Sequence, residues 1–172
     1  MVDDNTRFIP MLKRYGVKRI FKSYDFILAT IITAIFGFCI FYYRLESVLI
    51  PNIFITYATI ASGMIAIIIA SLAIVATMAD NDFVAFLNQK KPIYNNILFV
   101  FWYTAIFTAL TIAIAVIGYI FTTIDITHVD MNSWLIIIAT FFTIYITLAV
   151  IQAIGSVMRF GLYRAEYAKL KK

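Results

Sequence analysis

The sequence predicts an all-α integral membrane protein with four antiparallel transmembrane helices, flanked by amphipathic helices at the N and C termini. Composition is the first reason, because 63% of the 172 residues are hydrophobic and only 13% are charged. A soluble domain is roughly half apolar and roughly a quarter charged, so this chain has more apolar surface than a soluble core of its size can bury. The other two reasons are four long apolar runs and the placement of the basic residues.

Four apolar runs are long enough to cross a bilayer, because about 20 apolar residues span about 30 Å of hydrocarbon. None of the four contains Lys, Arg, Asp, Glu or His. The loops between them are short, which predicts that consecutive spans are antiparallel neighbours. The predicted spans are residues 26–43, 53–78, 97–124 and 134–158, within one transmembrane domain of residues 25–158.

Thirteen of the fourteen Lys and Arg residues lie in three segments that four spans place on one side of the membrane. These segments are residues 1–24, the loop between spans two and three, and residues 159–172. Only Arg44 lies on the other side. By the positive-inside rule, both termini and the middle loop are cytoplasmic, and we expect the cell membrane as the location. Cations beside a membrane favour an anionic inner leaflet as their partner rather than nucleic acid.

Both terminal segments have helical patterns. Residues 1–24 predict a basic amphipathic helix in the headgroup layer, with a disordered basic leader as the alternative. The tail of residues 159–172 spaces Phe160, Tyr163, Tyr167 and Leu170 as one helical face, which predicts a helix that continues span four and lies on the membrane surface or binds a partner. The residues expected to contact lipid headgroups in the first segment are Arg14, Lys18, Arg19 and Lys22.

Small and hydroxyl residues recur at steps of three and four along span two, with no large side chain among them. Helical spacing continues beyond the span, so one helix from residue 53 to residue 87 is predicted. If copies of span two surrounded an axis, this stripe would line a narrow pore, and carboxylates at its inner mouth would favour cations. A solvated helix exit is the alternative for the two aspartates. The pore-lining residues of this hypothesis are Thr56, Thr59, Gly63, Ala66, Ala70, Ala73, Thr77, Asp80 and Asp82.

Similar spacing in the other spans predicts helix packing. Small residues let helix backbones approach each other, and a Thr hydroxyl can bond to a carbonyl of its own helix. Gln152, the most polar side chain deep in span four, is expected to bond to a neighbouring helix. The predicted packing residues are Thr104, Thr108, Thr111, Gly118, Thr140, Thr143, Thr147 and Gln152.

Several functional classes lack their characteristic residues. The predicted spans contain no carboxylate for proton-coupled transport and no His pair for haem, and Cys39 has no second cysteine to pair with. We find no phosphate-binding Gly loop and no nucleophile elbow, so we expect neither an enzyme nor a cofactor. Asp125, His128 and Asp130 are too few and too solvated to predict a metal site.

The expectation that remains is a homo-oligomeric channel or pore-forming protein, weakly cation-preferring, with span two lining the pathway. The alternative is a non-catalytic membrane subunit or scaffold. Its basic amphipathic termini would dock a protein partner at the cytoplasmic face.

Overall fold

The computed structural model describes residues 23–43, 46–88, 93–123 and 129–170, and within these ranges it contains helices and no strands. Four of the helices are long and apolar enough to cross a membrane, which confirms the all-helical prediction and indicates a multi-pass membrane protein. The expected basic helix at the N terminus, with its four headgroup-contacting residues, lies outside the described residues. The helices are α1 (Tyr24–Tyr43), α2 (Glu46–Met78), α3 (Asn81–Asn88), α4 (Ile93–Thr123) and α5 (Val129–Leu170).

The segments beyond spans two and four show how the helices end. The helix expected over residues 53–87 is two helices, because α2 ends at Met78 and α3 begins at Asn81. The tail, expected to continue span four, is the end of α5, which runs without interruption through 42 residues. At about 1.5 Å per residue, α5 is roughly 63 Å long, about twice the thickness of the hydrocarbon layer. It therefore carries residues 159–170 well beyond its apolar portion.

The centre of the bundle consists of α2, α4 and α5, each of which packs against the other two. In the described part of the chain, α1 packs mainly against α5, and α3 packs against α4 and α5. One apolar cluster joins Ile40 near the end of α1 to Phe54 near the start of α2 and Ile136 near the start of α5. We call the other end, where α3, the first turns of α4 and Arg159 and Arg164 of α5 lie, the basic end.

Phe54 of α2 and Gly118 of α4 lie in close contact. The Phe54 ring is fully buried and lies where the side chain of any larger residue would begin. A Cβ atom added to Gly118 would lie 2.3 Å from Phe54 Cε1, which is closer than two nonbonded carbon atoms approach each other. Gly118 is therefore required for the contact, because only a residue without a side chain admits the ring at this depth.

Gly118→Ala should destabilise the bundle by about 1–3 kcal/mol, the usual cost of overpacking a filled core. The matched control is Gly155→Ala in α5, where an added Cβ meets no atom within 4 Å. Replacing a helical glycine in open space should stabilise by up to about 1 kcal/mol. Unfolding of the purified variants in mixed micelles, followed by circular dichroism, measures both effects. Equal stability of the two variants would show that the Phe54–Gly118 contact does not hold α2 against α4.

Candidate functional site

Helix α2 has two faces with the same spacing but opposite surroundings. Its buried face repeats at steps of three and four from Phe54 through Ala61 and Ile68 to Val75. At about 100° per residue, the small-residue stripe lies nearly opposite this row. The packing of α2 against α4 and α5 therefore uses the face with the larger side chains, and the stripe points away from the bundle.

The structure leaves the whole stripe exposed. Each small or hydroxyl residue on it is exposed, from Thr56 to Thr77 of α2. The hydroxyl groups of Thr56, Thr59 and Thr77 donate to carbonyl oxygens of α2 itself at 2.8–2.9 Å. Each hydroxyl oxygen keeps lone pairs that can accept a further bond. The exposed stripe consists of Thr56, Thr59, Gly63, Ala66, Ala70, Ala73 and Thr77.

The corresponding rows on α4 and α5 lie between helices. Thr104, Thr108 and Thr111 are fully buried in α4, and their hydroxyls donate to carbonyls one turn earlier at 2.7–2.8 Å. These bonds satisfy the hydroxyl hydrogens within α4, so the row can face its neighbours without an unmet donor. Buried positions in the same set are Gly118, Thr140 and Thr143, with Thr147 half-buried.

Two contacts of Thr hydroxyl groups connect the described parts of α2 and α5, in addition to apolar packing. Thr140 donates its hydroxyl to the Ile136 carbonyl at 2.7 Å, so the Tyr57 hydroxyl, 2.6 Å away, donates to Thr140 Oγ1. Thr147 lies 4.0 Å from Met64 Sδ and donates to its own helix at 2.7 Å. The contacts fix the rotation of α2 about its axis, because Tyr57 and Met64 lie on the side away from the stripe.

Asp80 terminates α2 and begins α3. Its Oδ1 atom accepts the Phe83 backbone N–H at 2.8 Å, and its carbonyl accepts the Val84 N–H at 2.9 Å. This is an N-cap, in which a carboxylate satisfies a donor that a helix leaves unpaired in its first turn. Asp80 Oδ2 also lies 2.6 Å from Arg164 Nη2 of α5. The residue expected in a ring of free carboxylates therefore has a structural role and a cationic partner.

The aromatic face of the tail is used within the chain. Phe160 and Tyr167 of α5 pack against Phe83 of α3 with ring centroids 5.2 and 5.5 Å apart. The Arg164 guanidinium lies 5.0 Å from the Phe83 ring centroid, between the carboxylate of Asp80 and the aromatic rings. Cation–π contacts of this kind add to the ion pair. Together they hold α3 against the end of α5.

Three features of the described residues are absent from the sequence-based picture. Helix α1 begins before the predicted span, so the half-buried carboxylate of Asp25 lies in its first turn. The Tyr103 and Tyr145 hydroxyls bond to each other between α4 and α5. The Gln152 side chain is exposed rather than enclosed between helices. The start of α1 has a local signal, since Ser23 accepts the Phe26 backbone N–H at 3.3 Å as an N-cap. The tyrosine pair depends on which helix faces meet and has none.

Nothing in the described ranges groups three or more His, Cys, Asp or Glu side chains as a metal site would. Asp125 and His128 lie outside those ranges. No family model, curated protein or solved structure matches this chain. The parts of the described structure that bear on function are therefore the exposed face of α2 and the basic end.

Asp80→Ala should loosen α3 more than Asp80→Asn. Alanine removes both the N-cap, worth about 0.5–2 kcal/mol, and the ion pair, whereas asparagine keeps a capping oxygen. The ion pair adds less than the cap, because both side chains are partly exposed to screening solvent. Hydrogen–deuterium exchange of residues 81–88 should rank protection as wild type, then Asp80→Asn, then Asp80→Ala. Asn81→Ala, which removes no bond seen here, is the control. Unchanged protection in Asp80→Ala would contradict the capping role.

Proposed function

We propose that this protein is a homo-oligomeric membrane channel, weakly cation-preferring, in which the exposed face of α2 lines the pathway. The observation that supports it is the outward direction of the stripe in a bundle whose threonine rows on α4 and α5 are mostly buried. In a bilayer, small residues favour association because they allow backbones to approach, and lipid tails supply no hydrophobic force of their own. A stripe that none of the described helices covers is therefore suited to further copies of α2.

The four spans alternate in direction, so both termini and the segment around α3 lie on the cytoplasmic side of the cell membrane. The apolar cluster of Ile40, Phe54 and Ile136 supports this, since it brings the end of α1 to the starts of α2 and α5. The positions of the cations support it as well, because thirteen of fourteen then lie inside.

The stripe has the chemistry of a narrow, weakly selective pathway. The oxygen atoms of Thr56 and Thr59 retain acceptor capacity near one end, and the middle carries only Gly and Ala. Short apolar constrictions gate by dewetting, and hydroxyl or carboxylate oxygens favour cations. At the basic end Asp80 caps α3, so a substitution of Asp82, which is exposed in the first turn of α3, changes the charge of the mouth without removing that cap.

The alternative, a non-catalytic subunit or scaffold, is supported by a different observation. Leu162 and Leu170 are exposed on the tail beyond the apolar part of α5. Against it, Phe160 and Tyr167, two residues of the proposed docking face, already pack against α3. The two functions differ in one measurable property, since a scaffold without its partner conducts no ions.

Purified protein reconstituted in a planar bilayer of neutral lipid should conduct, with K⁺ favoured over Cl⁻ in a KCl gradient. Asp82→Lys should shift the reversal potential toward the Cl⁻ equilibrium value, because it replaces a carboxylate at the mouth with a cation. Glu166→Lys makes the same charge change at an exposed position of α5 and should shift it less. No conductance at any voltage, pH or calcium concentration would favour the scaffold.

A bulky side chain placed on the stripe tests whether the stripe lines the pathway, independently of ion selectivity. Ala70→Trp places a bulky ring on the stripe, whereas Ile69→Trp places it on an adjacent exposed position off the stripe. Ala70→Trp should abolish most of the conductance and Ile69→Trp should preserve it. Equal currents in the two variants would show that the stripe does not line the pathway.

A further inference from the structure

A cavity of about 220 Å³ lies between the first turns of α4 and the part of α5 just beyond its apolar portion. Its polar lining comes from both helices: Asn96 of α4, and Ser156, Arg159 and Tyr163 of α5. Ile97 and Val100 form its apolar wall. It is separate from the α2 stripe and from the Asp80–Arg164 pair.

The charge of this cavity is uncompensated within the described part of the chain. Arg159 is exposed and forms no ion pair with any described residue, and no carboxylate lines the cavity. Arg164, five residues further along α5, differs because Asp80 neutralises it. A guanidinium in a polar cavity without a carboxylate is suited to an anion, and phosphate oxygens match its donors in pairs.

The other polar groups of the cavity are suited to a phosphate ester whose alcohol part has free hydroxyl groups. The Asn96 amide and the Tyr163 hydroxyl can donate to phosphate oxygens. Ser156 already donates its hydroxyl to the Gln152 carbonyl at 3.0 Å, so its oxygen is left as an acceptor for a ligand hydroxyl. An anionic group with free hydroxyls, such as phosphoglycerol, satisfies all of these groups.

The position of the cavity indicates the source of the phosphate. Arg159 follows the last residue of the apolar run, which places it at headgroup depth once the run is in hydrocarbon. Ile97 and Val100 extend the wall along α4 in the direction of the bilayer. Basic pockets between transmembrane helices at the inner leaflet bind headgroups in this way. We propose that this cavity binds the phosphate of an anionic phospholipid, with phosphatidylglycerol as the representative ligand.

Native mass spectrometry of the full chain in mild detergent tests the site by titration with phosphatidylglycerol and, separately, phosphatidylcholine. The wild type should bind phosphatidylglycerol at lower concentration than phosphatidylcholine. Arg159→Gln should weaken phosphatidylglycerol binding about tenfold, the loss expected from one charge-assisted hydrogen bond. Lys169→Gln, which removes an exposed cation of α5 outside the cavity, should leave it nearly unchanged.

Tyr163→Phe removes a single hydroxyl and keeps the ring, so it tests the site with little effect on folding. It should weaken phosphatidylglycerol binding by a few-fold and leave phosphatidylcholine binding as it is. Equal losses in Arg159→Gln and Lys169→Gln, or equal affinity of the wild type for the two lipids, would overturn the proposal. Displacement of the lipid by inorganic phosphate at similar concentration would also overturn it, because the site would then recognise free phosphate.

Discussion

Close packing of helices without help from the hydrophobic effect is the constraint on which the rest of this structure depends. Lipid tails are as apolar as the side chains of the spans, so helices associate only where their surfaces approach closely. The fully buried threonines of α4 and the contact of Phe54 with Gly118 meet that requirement. Each buried hydroxyl of that threonine row bonds within its own helix, so tight contact does not leave a donor unmet. These contacts determine which side of α2 faces its neighbours.

The rotation of α2 then decides what remains available at the surface. Tyr57 and Met64 direct one side of the helix toward α5, and Phe54 directs it toward α4. The opposite side carries the stripe, whose small and hydroxyl residues are exposed from Thr56 to Thr77. The proposed channel follows from this division. One face of α2 packs against α4 and α5 within each copy, and the other face is available for association between copies.

Much of the fold was predictable from the sequence, because apolar length and charge placement are local properties. The four spans were recognisable without any knowledge of contacts. The faces of the helices were not, since α2 has two rows with the same spacing and only the partner helices distinguish them. Asp80 illustrates the same limit: its position suggested a pore mouth, whereas its cap on Phe83 and its pair with Arg164 depend on α5, which follows much later in the chain. The cavity beside Arg159 likewise requires α4 and α5 together.

The proposed channel requires the exposed face of α2 to meet α2 of another copy rather than lipid. Spin labelling in vesicles tests it directly, with a label at Ala70→Cys in a Cys39→Ala chain and a comparison label at the exposed position Ile35→Cys of α1. The label at residue 70 should show dipolar broadening that disappears on dilution with unlabelled chain, and lower accessibility to dissolved oxygen than the label at residue 35. Equal oxygen accessibility at the two positions, with no broadening at residue 70, would contradict the claim.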